Sequence, residues 1–290
     1  MTASIAPAAR PVVENPTALT VAAATQSKMG FTLVELLVVI TIIVILLALL
    51  APALDQAIYQ AELAVCAARQ DGLLTIFHAY AADEGRRKYP SGINQDGGDR
   101  TFFVPMDMVR IVEASAGNNR SPRATSLTTW GGTLTTGIVP QMLVDPSYRD
   151  FGYRSERLGY VIGYQYLGGR PFVSKANNGT TWPVWQSPIS LARSGDGQLV
   201  SCWNMWASDD GWSWVAHGRE RSPLGIDPPS GGGYHYNGPG AGADVIKLSA
   251  GGNIARADGS VQWKMIEDTQ VYTTIGDRNG NGSVQRLSRW

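Results

Sequence analysis

Between Phe31 and Ala51 the sole ionisable side chain is Glu35. A carboxylate at that depth in an apolar helix costs about 2.5–3.5 kcal/mol on insertion scales, so such a residue ordinarily has a partner and a task. No basic side chain nearby in sequence can pair with it. A cut between Gly30 and Phe31 would create one: the new α-amino group, with a pKa near ~8, is a cation about one helical turn from the carboxylate. The same amine on a neighbouring copy could come as close. The pair would then favour lateral packing of identical helices.

Other groups with chemistry are sparse. Cys66 and Cys202 are the only cysteines. Outside the membrane a disulfide between them is chemically open, but Cys66 better suits the role of a small packing residue of its helix. His78, His217 and His235 are scattered, with no metal-ligand spacing and no nucleophile motif beside them, so each reads as an ordinary surface or half-buried histidine. No catalytic residue is nominated, and no enzyme is expected. Near the C-terminus Asp277, Asn279 and Asn281 alternate ahead of Gly282, the first half of a calcium loop, but Ser288 stands where a bidentate Glu belongs. Two readings remain: a weak calcium site completed by Glu267, Asp268 or a carboxylate from another loop, or a plain Asn-Gly turn joining two strands. No other cofactor is expected. Trp203, Trp206, Trp212 and Trp214 surround Asp209 and Asp210, as core aromatics or as a surface for carbohydrate stacking or subunit contact.

The elements that carry these groups follow from hydropathy. The run from Phe31 exceeds the roughly 18 apolar residues that span a bilayer as a helix. Arg10 and Lys28 precede it, whereas Asp55 and Glu62 follow with no basic residue before Arg69, which places the N-terminus in the cytoplasm and the rest outside. Pro52 lies at the end of the run. Beyond it Tyr59, Leu63, Cys66, Leu73, Phe77 and Tyr80 recur at helical steps, predicting an amphipathic helix over 55–82 stopped by Gly85. Gln56, Gln60, Glu62 and Gln70 are assigned to its polar face.

From Arg86 onward Gly, Pro, Asn and Ser punctuate short β-prone segments. Residues 160–168 and 244–250 are predicted strands. NIARADGSVQWKM is a predicted hairpin of the central sheet, with Asp258-Gly259 as its tight turn. The expected class is therefore α+β, a long N-terminal helix on an antiparallel sheet. Its 24 basic and 24 acidic side chains balance, which argues against a nucleic-acid partner, since phosphate neutralisation needs a basic patch. Arg219 and Arg221 read as solvated surface.

The hexad GFTLVE at residues 30–35 resembles the processing signal of type IV prepilins and type II secretion pseudopilins. There Gly30 precedes the cut, Phe31 becomes the N-terminus and Glu35 is the fifth residue of the mature chain. Pro52 matches a proline that many pilins carry in this helix. The resemblance implies a membrane prepilin peptidase that cuts after Gly30 and methylates Phe31. It further implies assembly with other pilin or pseudopilin subunits from the bacterial inner membrane into a periplasmic or surface filament. The corresponding division is a leader at 1–30, a membrane half-helix at 31–54, a stalk at 55–85 and a β-rich head at 86–290. Cys66, Leu73, Tyr80, Gly85, Tyr89 and Pro90 are similar to the stalk pattern of a large pilin-like family abundant in planctomycetes. Asp258-Gly259 resembles the end of that family's His-x9-Asp-Gly motif, with Leu248 at the histidine position.

Other readings are a secretory signal cut near Ala51-Pro52-Ala53, leaving a carbohydrate-binding protein, and a permanent anchor carrying an enzyme whose site has no motif. Glu35→Leu separates assembly from insertion. The variant is expected to enter the membrane at least as well as the wild type and to be poorly incorporated into filaments, measured by membrane fractionation and by filament shearing.

Overall fold

The computed structural model describes residues 31–83, 87–92, 101, 103–117, 126–129, 132–136, 140–146, 153–155, 159–170, 186–192, 197–207, 212–219, 244–273 and 286–290. Helix α1, Leu33–Ala82, runs 50 residues with Pro52 inside it. It begins with a capping box. Glu35 Oε2 accepts hydrogen bonds from the Thr32 amide (2.8 Å) and hydroxyl (2.7 Å), while Thr32 Oγ1 accepts from the Glu35 amide at 3.2 Å. The carboxylate therefore has a local partner, contrary to the expectation that it has none within the chain. Thr32-x-x-Glu35 ahead of an apolar run is the sequence form of this cap.

The chain divides into two compact units, Met1–Pro52 and Ala53–Trp290. In the first, Leu36 through Leu50 includes a long series of exposed Leu, Ile and Val side chains. Helix α1 is long and apolar enough to cross a membrane.

In the second unit the stripe of α1 turns inward. Cys66, Gln70, Leu73, Leu74, Ile76, Phe77 and Ala81 are buried, and Tyr59, Leu63 and Tyr80 are half-buried. Gln70 departs from its assigned polar face. Its side chain donates to Cys202 Sγ and to the Asn253 carbonyl, both at 3.3 Å, so polar partners inside the protein replace water. The helix ends at Ala82, and Gly85 lies outside the described residues.

Strands β1 (Phe103–Val104), β2 (Ser126–Thr129), β3 (Gly132–Thr136), β4 (Tyr153–Ser155) and β5 (Gly159–Val161) form one sheet in the order β1-β5-β4-β3-β2. Helix α2, Met106–Ala116, follows β1 and buries Met108, Val109 and Val112. A second sheet holds β6 (Tyr164–Tyr166), β7 (Gln198–Cys202), β10 (His217–Gly218), β11 (Ser249–Arg256) and β12 (Val261–Met265). Its order is β10-β11-β7-β6, with β12 also paired to β11. A third consists of β13 (Val271–Thr273), β14 (Arg286–Arg289), β8 (Asn204–Ala207) and β9 (Trp212–Val215), in that order. Every strand pairing described is antiparallel. The fold is α+β.

The predicted hairpin is β11–β12, with Asn253 opposite Trp263. Gly259 takes φ +89°, the left-handed conformation its turn needs. The predicted strand 160–168 is two strands, β5 and β6, which belong to different sheets because the chain leaves one at Ile162-Gly163 and enters the other. The predicted strand 244–250 is instead a 3-10 turn at Val245–Lys247, with β11 starting only at Ser249. Asp244 caps that turn, its carboxylate accepting from the Ile246 amide at 3.1 Å, and this local bond outcompetes extension.

One core cluster joins α1 to the sheets through Leu73, Phe77, Tyr164, Tyr166, Leu199 and Trp203, among others. Phe77 and Tyr166 are tilted rings with centroids 5.0 Å apart. Trp203 and Trp214 stack at 4.3 Å. Trp203, Trp206 and Trp214 are buried, so these three fill core rather than present a stacking surface; the Trp212 side chain lies outside the described set. Phe77→Ala should cost about 3–5 kcal/mol, since a fully buried ring at the helix–sheet contact is lost. Urea unfolding followed by tryptophan fluorescence checks this. A loss under about 1 kcal/mol would mean that α1 does not share the head's core.

Candidate functional site

The polar groups that converge lie beneath α1. Cys66 arrives on the buried stripe of the helix, Cys202 at the end of β7, and His217 on β10 opposite Gly251. Asp145 sits just after the 3-10 turn Gln141–Leu143. That turn is pressed against the chain before β6. Gly163 donates its amide to the Leu143 carbonyl at 2.7 Å, and a Cβ at Gly163 would stand 2.4 Å from the Asp145 amide nitrogen. Glycine is therefore required there for the Asp145 loop to approach.

Cys66 Sγ lies 3.3 Å from Asp145 Oδ2, to which it donates, and 3.3 Å from Cys202 Sγ. His217 Nε2 is 3.5 Å from the same Asp145 oxygen. The four ligand-type atoms all fall within 4.8 Å of one another. Gln70, one turn along the helix from Cys66, directs its amide at both sulfurs, 3.3 Å from Cys202 and 3.8 Å from Cys66. Arg69 donates to the Val144 carbonyl at 2.7 Å, next to Asp145. Asn253 donates to the Leu63 carbonyl at 3.3 Å. The Trp263 ring lies 5.3 Å from that of His217.

The electrostatics follow from burial and proximity. Desolvation pushes the Cys66 thiol up, but its hydrogen bond to Cys202 and the nearby His217 outweigh this and hold it below the ordinary value. Desolvation dominates for Cys202, whose thiol is pushed well up. For His217, burial alone would favour the neutral ring, yet the charge of Asp145 prevails and raises its pKa. Between the two sulfurs, Cys66 is the first to ionise.

No protein-family model, curated protein or solved structure matches the chain. The site must be read from its own chemistry. Cysteine, histidine and aspartate in contact are the parts of an activated nucleophile. Here Cys66, Asp145, Cys202 and His217 are each at most 1 % exposed, so no substrate reaches the sulfur. What the closed arrangement can do is bind a proton, a second sulfur or a metal ion.

The sequence-predicted positions fare differently. Cys66 and Cys202 meet, as free thiols. His217, read as an ordinary surface or half-buried histidine, is instead fully buried in the polar cluster because Asp145 compensates its desolvation; linear spacing gives no sign of this, since its partners come from remote segments. His78 is half-buried beside Tyr89, and His235 lies outside the described residues. Phe31 is exposed, and Gly30 lies outside the described residues. Asp258 and Gly259 make the β11–β12 turn, where Asp258 Oδ1 accepts from the Ser260 amide (2.9 Å) and hydroxyl (2.7 Å); these bonds hold its carboxyl below the usual range. Leu248 packs against a small apolar cluster that includes Val245, Ile266 and Leu287, a setting that suits leucine. Asp277, Asn279 and Asn281 lie outside the described residues. Their segment connects β13 to β14, which pair directly. Glu267, one carboxylate considered for calcium, forms an ion pair with Arg219, and Ser288 is buried within β14.

Asp145→Ala should destabilise the protein by about 3–5 kcal/mol, because removing one partner of a buried pair leaves the other desolvated without compensation. Urea unfolding checks the value. A change below about 1 kcal/mol would show that the His217–Asp145 contact carries no net energy.

Proposed function

We propose that this chain is a structural subunit of a type IV pilus-like or type II secretion-like filament, processed after Gly30 and assembled through its N-terminal helix. The observation that carries this reading is the uninterrupted helix Leu33–Ala82. Its first half exposes aliphatic side chains that find no cover in the first unit, and its second half buries a stripe within the second unit. A cleaved secretory signal would have no use for that continuity. GFTLVE stands immediately at its start.

In this reading the exposed aliphatic half is held first by the bilayer and then by identical or related helices. The bacterial inner membrane, prepilin peptidase and other pilin or pseudopilin subunits are its partners. The Phe31 amine, methylated after the cut, neutralises Glu35 on the same or a neighbouring helix. The capping box is compatible with this, since the Glu35 carboxylate is bonded to Thr32, the residue next to Phe31.

N-terminal mass spectrometry of the protein from its native host tests the proposal. The mature chain is expected to begin at methylated Phe31, whereas a start at Leu54 or an intact Met1 would overturn it. Gly30→Asp is expected to accumulate unprocessed chain, because a charged side chain replaces the small residue before the cut.

A further inference from the structure

We propose that Cys66, Asp145, Cys202 and His217 bind one Zn²⁺ ion, forming a closed four-coordinate centre that fastens the stalk helix to the head. This does not depend on the filament reading. Two sulfurs, an imidazole nitrogen and a carboxylate oxygen make a set suited to zinc, which accepts all three donor types in tetrahedral array.

The distances fit. With metal–sulfur bonds of about 2.3 Å and metal–nitrogen or metal–oxygen bonds of about 2.0–2.1 Å, a tetrahedral shell has edges of roughly 3.3–3.8 Å. The observed edges are 3.3 Å for sulfur to sulfur, 3.3 Å for Cys66 to Asp145 and 3.5 Å for His217 to Asp145. All four atoms already lie within 4.8 Å of one another. Small side-chain rotations would therefore complete the shell, with no backbone rearrangement.

The surroundings are those of a thiolate centre. Gln70 points amide hydrogens at both sulfurs, which stabilises thiolate ligands and orients them. Binding displaces one proton from each thiol, and His217 coordinates through the Nε2 lone pair with its ring proton on Nδ1. Zn²⁺ with two thiolates, one carboxylate and a neutral imidazole carries one net negative charge. The guanidinium of Arg69, held on the Val144 carbonyl beside Asp145, is the nearby cation that offsets it. All four ligands are buried and all four positions are filled by protein, so the centre is structural rather than catalytic.

The full-length protein, purified in detergent without chelators from zinc-supplemented cells, is the material for the test. Elemental analysis is expected to give about one zinc per chain. X-ray absorption should show two sulfurs near ~2.3 Å and two lighter ligands near ~2.0 Å. Cys202→Ser is expected to lose the metal. His217→Cys should keep it with three sulfurs in the shell, a change that loss of folding could not mimic. Metal-free protein would overturn the proposal, as would a chain two hydrogens lighter whose cysteines resist alkylation after unfolding, the signature of a Cys66–Cys202 disulfide. Zinc without sulfur neighbours would mark an adventitious ion and overturn it equally.

Discussion

The face of α1 from Cys66 to Ala81 must be buried, and the rest of the second unit is arranged around meeting that demand. Leu73, Leu74 and Phe77 are almost wholly removed from water, together with Tyr164, Tyr166 and Leu199 from the sheet they face. Burying a side chain of this size stabilises by about 1.5–3 kcal/mol, and several do so along one stripe. The helix is therefore part of the head's core and not an appendage to it. Upstream of that face the same helix carries the opposite composition, aliphatic on all sides and exposed in the first unit, the pattern of a segment whose solvent is not water.

Helix existence, the change of character after Pro52 and the β11–β12 hairpin are legible in the sequence because each rests on a local rule: apolar length, a three-to-four-residue period, and an Asp-Gly turn with alternation after it. The buried cluster is not legible. Cys66 and Gln70 are neighbours on one helical face, but Cys202, His217 and Asp145 come from three other places whose proximity is a product of sheet pairing. Gln70 shows the difficulty most clearly. A glutamine at a stripe position reads as a polar-face residue until a partner inside the protein is known, and its partners, Cys202 and the Asn253 carbonyl, are far away in sequence.

Two departures from expectation share a cause. The Thr32–Glu35 capping box and the Asp244 cap of the 3-10 turn are side chains bonding to nearby backbone, and at Asp244 the cap decides its segment more strongly than hydropathy does. Residues 244–250 have the β-branched and apolar composition of a strand, yet one carboxylate at the front suffices to wind the first turn. Arg289 then fixes Asp244 from β14, donating Nε to Oδ1 at 2.6 Å, so the cap is tied to the third sheet as well. The strand can begin only at Ser249.

A polar cluster at the centre of an otherwise apolar contact also sets where the helix sits. A slide of one turn, about 5.4 Å, would already set His78 in the place of Leu74 and Ala81 in that of Phe77, although Phe77 for Leu73 and Tyr80 for Ile76 exchange one large side chain for another. At Cys66 and Gln70 no such exchange works. After a one-turn slide Gln70 would occupy the place of Cys66 and Leu74 that of Gln70, leaving Asp145 without its thiol, the Asn253 carbonyl without its donor, and an aliphatic side chain against the Cys202 sulfur. Each buried polar group left without its partner costs about 1–3 kcal/mol. Apolar area thus supplies most of the attraction between α1 and the sheets, and the polar contacts reinforce the register that this packing favours.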